Sequence, residues 1–294
     1  MLSNACIDKI YSVSVVMGNL NCNAKCSFCA GKTLNKHPFS EKLKNQHFRN
    51  IETAIKLSAR YGGWSLSITS AGEPTCDPEL LTEILEVYAS CKRDGAYMPN
   101  VNVFTNGILL ADRDFCDKWL PKWRELGLTN FAISIHDLKL KDNAEVYGIK
   151  VYPAYGEIIK NVQEHGIGVR ATLLLQRGHI ETSSDYENAI KGLIHWGFNN
   201  ITSWSIGNSD GSRNKYTPSR LNLLLIKMWL KLNATLTHGH VWGGGVYDYN
   251  DVLLRVTDYV TPHNRKKNYV RQLVVLYGDG IYYSWIKKGA ICQK

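Results

Sequence analysis

Gly18-Asn-Leu-Asn-Cys22-Asn-Ala-Lys-Cys26-Ser-Phe-Cys29-Ala-Gly-Lys32 sets three cysteines at a CxxxCxxC spacing in a short polar loop. The loop follows an apolar run, Ile10 to Met17, so the thiols converge at the end of an expected strand. Thiolates at this spacing suit an iron-sulfur cluster or zinc, because both are soft enough to favour sulfur. Ligand count separates the two. A closed structural zinc site takes four protein ligands, usually as two pairs, and the sequence has no second CxxC. Three thiolates on a cubane cluster leave one iron open to an outside ligand. The zinc reading stays open as a degenerate knuckle that takes His37 as its fourth ligand.

Working outward from the loop, short β-branched runs alternate with helical patterns, the signature of βαβ units around a parallel sheet. Ile51 to Tyr61 has helical spacing and stops at Gly62-Gly63. Trp64 to Ser70 alternates as a half-buried strand and runs into Ala71-Gly72-Glu73-Pro74, a turn before a helix capped by Asp77 with Pro78 at its first position. Helix Pro78 to Cys91 precedes strand Val101 to Phe104, which exits through the turn Thr105-Asn106-Gly107. A fourth strand, Asn130 to His136, puts Ser134 and His136 on one face. Strands Val169 to Leu175 and Asn200 to Ile206 follow, with helix Tyr186 to Trp196 between them and Gly207-Asn208-Ser209 after the second. Thr217-Pro218 is expected to cap a helix running to about Leu236. Six strand-helix units make an α/β fold, a partial (βα)6 barrel of the TIM type over residues 1–236 with an open side for substrate.

Residues 237–294 read as a small C-terminal extension. It opens with a glycine- and aromatic-rich stretch, Thr237 to Tyr247, expected at a ligand or across a barrel mouth, and it ends in a β-hairpin around Asp279-Gly280. His238 and His240 are metal ligands by residue type, but two histidines at i and i+2 have no further partners in the sequence.

The chain of 294 residues is 44% hydrophobic and carries a formal net charge of +9. No run approaches the ~20 apolar residues of a membrane span, and the first residues lack a signal-peptide pattern, so a cytoplasmic protein is expected. Beyond the loop, Cys6, Cys76, Cys91, Cys116 and Cys292 show no pairing pattern and read as ordinary thiols of a reducing compartment. Basic residues gather in Lys32 to Lys44 and Arg265 to Arg271, and Arg170 in the fifth strand and Arg177 at its exit are candidates to meet an anionic group. Such a charge suits an anionic substrate, a nucleotide or an RNA.

With Phe28 directly before the third cysteine and Gly72-Glu73-Pro74 after the second strand, residues Ile10 to Leu236 resemble the radical S-adenosylmethionine (radical SAM) enzymes. The arrangement looks nearest to molybdopterin-precursor-cyclase-like and viperin-like members. The resemblance implies one 4Fe-4S cluster on Cys22, Cys26 and Cys29, with S-adenosyl-L-methionine chelating the fourth iron. It implies that Gly72, Glu73 and Pro74 meet the methionine end, with Ala71 in place of the usual first glycine, and that Asn106, Ser134 and Thr172 border the cofactor. A flavodoxin or ferredoxin would supply the electron, and the substrate would lose a hydrogen atom to a 5'-deoxyadenosyl radical. Only Cys292 lies beyond Cys116, so no second cluster with three or four thiolates is expected from that region. A peptide-modifying radical SAM enzyme is the alternative within the family. From a different class, a non-enzymatic zinc-containing nucleic-acid-binding protein would explain the loop and the basic charge, but neither the barrel pattern nor the Gly-Glu-Pro turn.

Overall fold

The computed structural model describes residues 9–29, 31, 34, 37, 40–208, 212–240, 244–257, 269–283, 285 and 290–292. Six strands are each followed by helix: β1 (Ser12–Met17), β2 (Ser65–Ser70), β3 (Asn100–Thr105), β4 (Asn130–Ile135), β5 (Gly168–Leu175) and β6 (Asn200–Ser205). The helices are α1 (Glu41–Arg60), α2 (Pro78–Arg93), α3 (Arg113–Glu125), α4 (Leu140–Tyr147), α5 (Tyr155–Glu164), α6 (Ser183–His195) and α7 (Arg220–Asn233). Six more strands of the same sheet follow: β7 (Thr235–Gly239), β8 (Gly245–Tyr249), β9 (Val252–Thr257), β10 (Leu273–Leu276), β11 (Gly280–Tyr282) and β12 (Ala290–Cys292). All twelve form one sheet in the order β12-β11-β10-β1-β2-β3-β4-β5-β6-β9-β8-β7.

From β10 across to β9 every pairing is parallel. The two edges are antiparallel, and the sheet does not close. The partial barrel therefore holds the six expected strands, and strands from the C-terminal region extend it on both sides. The boundary placed at Leu236 falls inside β7.

Alternation along the parallel strands divides two environments. Val13, Val15, Leu66, Ile68, Val101, Val103, Phe131, Ile133, Val169, Ala171, Leu173 and Ile201 are buried in the main hydrophobic core with Ile51, Ile55, Leu81, Ile84, Leu120, Trp123, Ile158, Val162 and Leu193 of the helices. The opposite, concave face is largely polar: Ser12, Ser14, Asn102, Thr172 and Thr202 are buried there. A lumen filled with branched apolar side chains is the rule for closed barrels of this kind. This one is lined by polar side chains instead.

Three sequence expectations shift. Helix α1 begins at Glu41, with the Ser40 side chain accepting from Leu43 N, ten residues before the first periodic residue. Its core-facing positions include His47 and Ser58, polar residues that hide the stripe. Helix α7 is capped by Ser219, whose side chain accepts from Asn222 N, and it stops at Asn233, where Ala234 turns extended. The stretch between Tyr247 and Thr257 forms an unforeseen hairpin: Asn250 and Asp251 both have positive φ, 53° and 64°, and join β8 to β9. The hairpin expected around Asp279-Gly280 is present as β10 and β11. Among the described residues no helix is long and apolar enough to cross a membrane. Ser209, Arg265 to Asn268 and part of the Lys32 to Lys44 stretch lie outside the described residues, as do Val241 to Gly243 of the glycine-rich loop.

Candidate active site at the strand exits

The cysteine loop leaves β1 and is tied down at alternate residues. Asn19 Nδ2 donates to Glu73 O (2.9 Å), and Glu73 N donates to Asn21 O (2.7 Å). Asn23 Oδ1 accepts from Asn106 Nδ2 (2.7 Å), and Lys25 N donates to Tyr147 O (2.7 Å). Two ties meet Glu73 and the other two reach Asn106 and Tyr147, so the exits of β2 and β3 and the end of α4 together fix the path of the loop. The Phe28 ring then packs against His136 and Tyr216, at centroid distances of 5.1 and 5.3 Å.

Gly72 is required by this crossing. A Cβ there would stand 2.2 Å from Asn21 O and 2.7 Å from Leu20 C, well inside contact distance. Ala71, in place of a glycine, is accommodated, and its carbonyl comes against Gly31, whose added Cβ would lie 2.2 Å away.

Glu73 is 4% exposed and works as a staple. Its Oε1 accepts from Thr75 N (3.1 Å), Thr75 Oγ1 (2.8 Å) and Thr105 Oγ1 (2.6 Å), while Oε2 accepts from Asn106 N (2.8 Å). Burial pushes this carboxyl above the usual range, and the four donors hold it back. Oε1 is saturated, whereas Oε2 keeps one acceptor position. Asn106 is engaged on every side: besides its ties to Glu73 and Asn23, its Oδ1 accepts from Ile108 N and its carbonyl from Tyr152 Oη.

Cys22, Cys26, Cys29, Gly72, Glu73, Pro74, Asn106 and Ser134 line one cleft of about 250 Å³. Phe28, Phe104, His136, Tyr147, Leu174 and Ile206 complete its walls. None of the three cysteines forms a disulfide. Burial raises the Cys22 thiol, and the charges of Glu73 and Cys29 add to that effect, so these groups feel one another across the cleft. Among the described residues no set of three His, Cys, Asp or Glu side chains is already drawn together around a metal position. The donor set nevertheless fits a cluster: three thiols line the same cleft as the Gly72 to Pro74 turn and Ser134, which offer polar groups to a polar ligand. His37, the fourth ligand in the zinc reading, instead meets Asp279 Oδ1 at 3.1 Å.

Ser134 is half-buried in the cleft, and its carbonyl accepts from Tyr147 Oη (2.6 Å). Thr172 is its direct neighbour on β5, but it sits deeper, buried, with no partner for Oγ1. His136 is buried, its Nδ1 has no partner, and burial lowers it to about 3, so the ring is neutral. Arg177 lies on the surface beside Glu181, at 3.9 Å, away from any anion site. His238 Nδ1 meets Thr237 Oγ1, and His240 Nε2 faces Arg255 Nη1 at 2.6 Å, so a cation already occupies the side a metal would need.

Sequence reading missed Asn19, Asn23, Phe104, Tyr147 and Arg255. The two asparagines stood inside the cysteine loop as a visible polar alternation. Tyr147 and Arg255 came from elements the periodicity did not reveal.

An open α/β barrel with three thiols and a Gly-Glu-Pro turn around one cleft defines a protein that holds a metal cluster beside an organic cofactor at its strand exits. The chain belongs to the radical SAM superfamily, whose model matches residues 19–191. Members of that superfamily bind a 4Fe-4S cluster and S-adenosylmethionine. None of the curated proteins is significantly similar to this chain. Among solved structures, it is similar to Streptococcus suis SuiB bound to S-adenosylmethionine, with 14% identity and a TM-score of 0.59 over 97% of this chain and 63% of that one. SuiB bound to precursor peptide SuiA gives 14% and 0.60 over 96% and 62%. Native anSMEcpe with bound AdoMet and Cp18Cys peptide gives 13% and 0.52 over 76% and 60%. The chain thus spans less than two thirds of these structures, and at such identities the likeness is one of fold.

Proposed function

We propose that this chain is a radical SAM enzyme that takes a hydrogen atom from an anionic substrate. The observation that supports this most is the single cleft shared by Cys22, Cys26, Cys29, the Gly72 to Pro74 turn and Ser134. When bound there, the 4Fe-4S cluster and S-adenosylmethionine supply reductive cleavage to methionine and a 5'-deoxyadenosyl radical, with the electron drawn from a flavodoxin or ferredoxin. In this reading Cys22, Cys26 and Cys29 give the thiolates. The cleft-facing edge of Gly72, Glu73 and Pro74 receives the methionine ammonium, to which Glu73 Oε2 offers its remaining acceptor position. Ser134 donates to the carboxylate or ribose, and Asn106 acts by holding the loop and the turn in place. Phe28, Phe104, Tyr147, Leu174 and Ile206 make apolar walls that keep water from a reactive radical.

The basic charge favours a nucleotide or an RNA base as the substrate. A peptide is the second reading, favoured by the bound peptide in a SuiB structure that this chain matches over 96% of its length. Anaerobic iron and sulfide analysis, with a visible spectrum of the protein and of a Cys22, Cys26, Cys29 triple alanine variant, tests the reading. About four irons per chain and a brown absorbance lost in the variant are expected. Stoichiometric zinc without iron after anaerobic reconstitution would sink it. With the cluster in hand, 5'-deoxyadenosine formation in the presence of nucleoside triphosphates, RNA or peptides separates the substrate classes.

A further inference from the structure

Two arginines reach the polar lumen without an acidic partner. Ser134, Thr172, Thr202 and Arg255 lie in one row across β4, β5, β6 and β9, and the next row pairs Phe104 with Ala132 and Ala132 with Arg170. Since side chains alternate, these residues share the concave face that carries the cleft-lining Ser134 and Phe104. The Arg170 guanidinium sits 5.2 Å from the centroid of the Phe104 ring, so one aromatic ring separates it from the cleft. Trp204, on the same face of β6, packs against that ring at 5.9 Å.

The Nε atoms of both Arg170 and Arg255 are sealed from solvent and have no hydrogen-bond partner among the described residues. Among the described residues neither arginine pairs with an Asp or Glu, and Glu73 is the sole buried carboxylate. Arg255 Nη1 meets His240 Nε2, and because guanidinium has no acceptor, that contact requires the histidine to accept there. The neighbour is therefore neutral and compensates no charge. Burial and the Arg255 charge bring Arg170 down to about 10, and burial followed by the Arg255 charge brings His240 to about 4. Thr172 Oγ1, in the same row as Arg255 and two residues along β5 from Arg170, is a third buried polar atom without a partner among the described residues. Cations taken out of water at this density are unfavourable unless an anion joins them.

We propose that Arg170 and Arg255, with Thr172, form an oxyanion subsite in the barrel lumen that binds a carboxylate or phosphate of the substrate and so orients it toward the cleft. Guanidinium forks match both groups, and Thr172 supplies a hydroxyl donor beside them. The assignment rests on the radical SAM reading for what the bound group does, but binding itself does not need the cluster.

The test is thermal unfolding of the full chain in inorganic phosphate, in succinate and in chloride at matched ionic strength, together with Arg170→Met and Arg255→Met. Saturable stabilisation by phosphate or by succinate beyond chloride is expected, and the stronger arm identifies a phosphate ester or a carboxylate as the group bound. Each variant should weaken that binding about ten- to a hundredfold. Without anion both variants should melt at or above the wild-type temperature, since an unpartnered cation is replaced by an apolar chain of similar length. S-adenosylmethionine affinity should stay unchanged. No response beyond chloride, an unaltered response in both variants, variants that unfold, or a loss confined to S-adenosylmethionine binding would each overturn the assignment. Iron content, measured separately, decides the radical SAM reading whichever way the anion result falls.

Discussion

At Gly72 the main chain of the cysteine loop passes where any side chain would begin. Asn21 O would lie 2.2 Å from an added Cβ, and the same carbonyl accepts from Glu73 N. Gly72→Ala must therefore push the loop away from the turn and break that bond. We expect the variant to remain folded but to lose about a hundredfold in 5'-deoxyadenosine formation, as misplacements near one ångström do. Activity within twofold of wild type, about 0.4 kcal/mol, would show that the crossing is not rigid. The motif residues Cys22, Cys26, Cys29, Gly72 and Glu73 were legible because their types and spacing are local. That Glu73 also spends acceptor capacity on Thr105 and Asn106 was not legible, since these partners are brought to it by the pairing of β2 with β3.

Between elements, α1 lies against the C-terminal hairpin through His47. Its ring stands 5.3 Å from that of Tyr277, it is 2% exposed, and neither nitrogen has a partner. Burial lowers the imidazole to about 4 from an ordinary 6.5. The folded state then binds fewer protons than the unfolded one below pH 6.5. The stability this neutral ring contributes is complete above that pH and is lost as pH falls toward 4, by roughly 3 kcal/mol. His47→Phe, similar in shape and never charged, should flatten this part of the curve in urea unfolding at pH 7, 6 and 5. An unchanged slope in the variant would assign the acid sensitivity elsewhere. The same residue explains the missed start of α1, because a polar side chain on the core face interrupts the apolar period that marks a helix.

Across the molecule, β1 is flanked by β2 on one side and by β10 from the far end of the chain on the other. Likewise β6 pairs with β9. A fragment of residues 1–236 would leave both strands with open edges, and β1 is buried throughout. We expect this fragment to aggregate or to bind a hydrophobic dye when expressed alone. A soluble monomer with a cooperative unfolding transition would instead support residues 237–294 as a separable extension.

Local patterns in the chain determined the cysteine loop, the Gly-Glu-Pro turn and the succession of six strand-helix units, because ligand type, turn chemistry and hydrophobic period act over a few neighbouring residues. Tertiary structure alone decided that the C-terminal strands extend both sides of the sheet and that Arg170 and Arg255 share its concave face. Strand pairing joins residues far apart in sequence, and the burial of a charge is a property of everything packed around it.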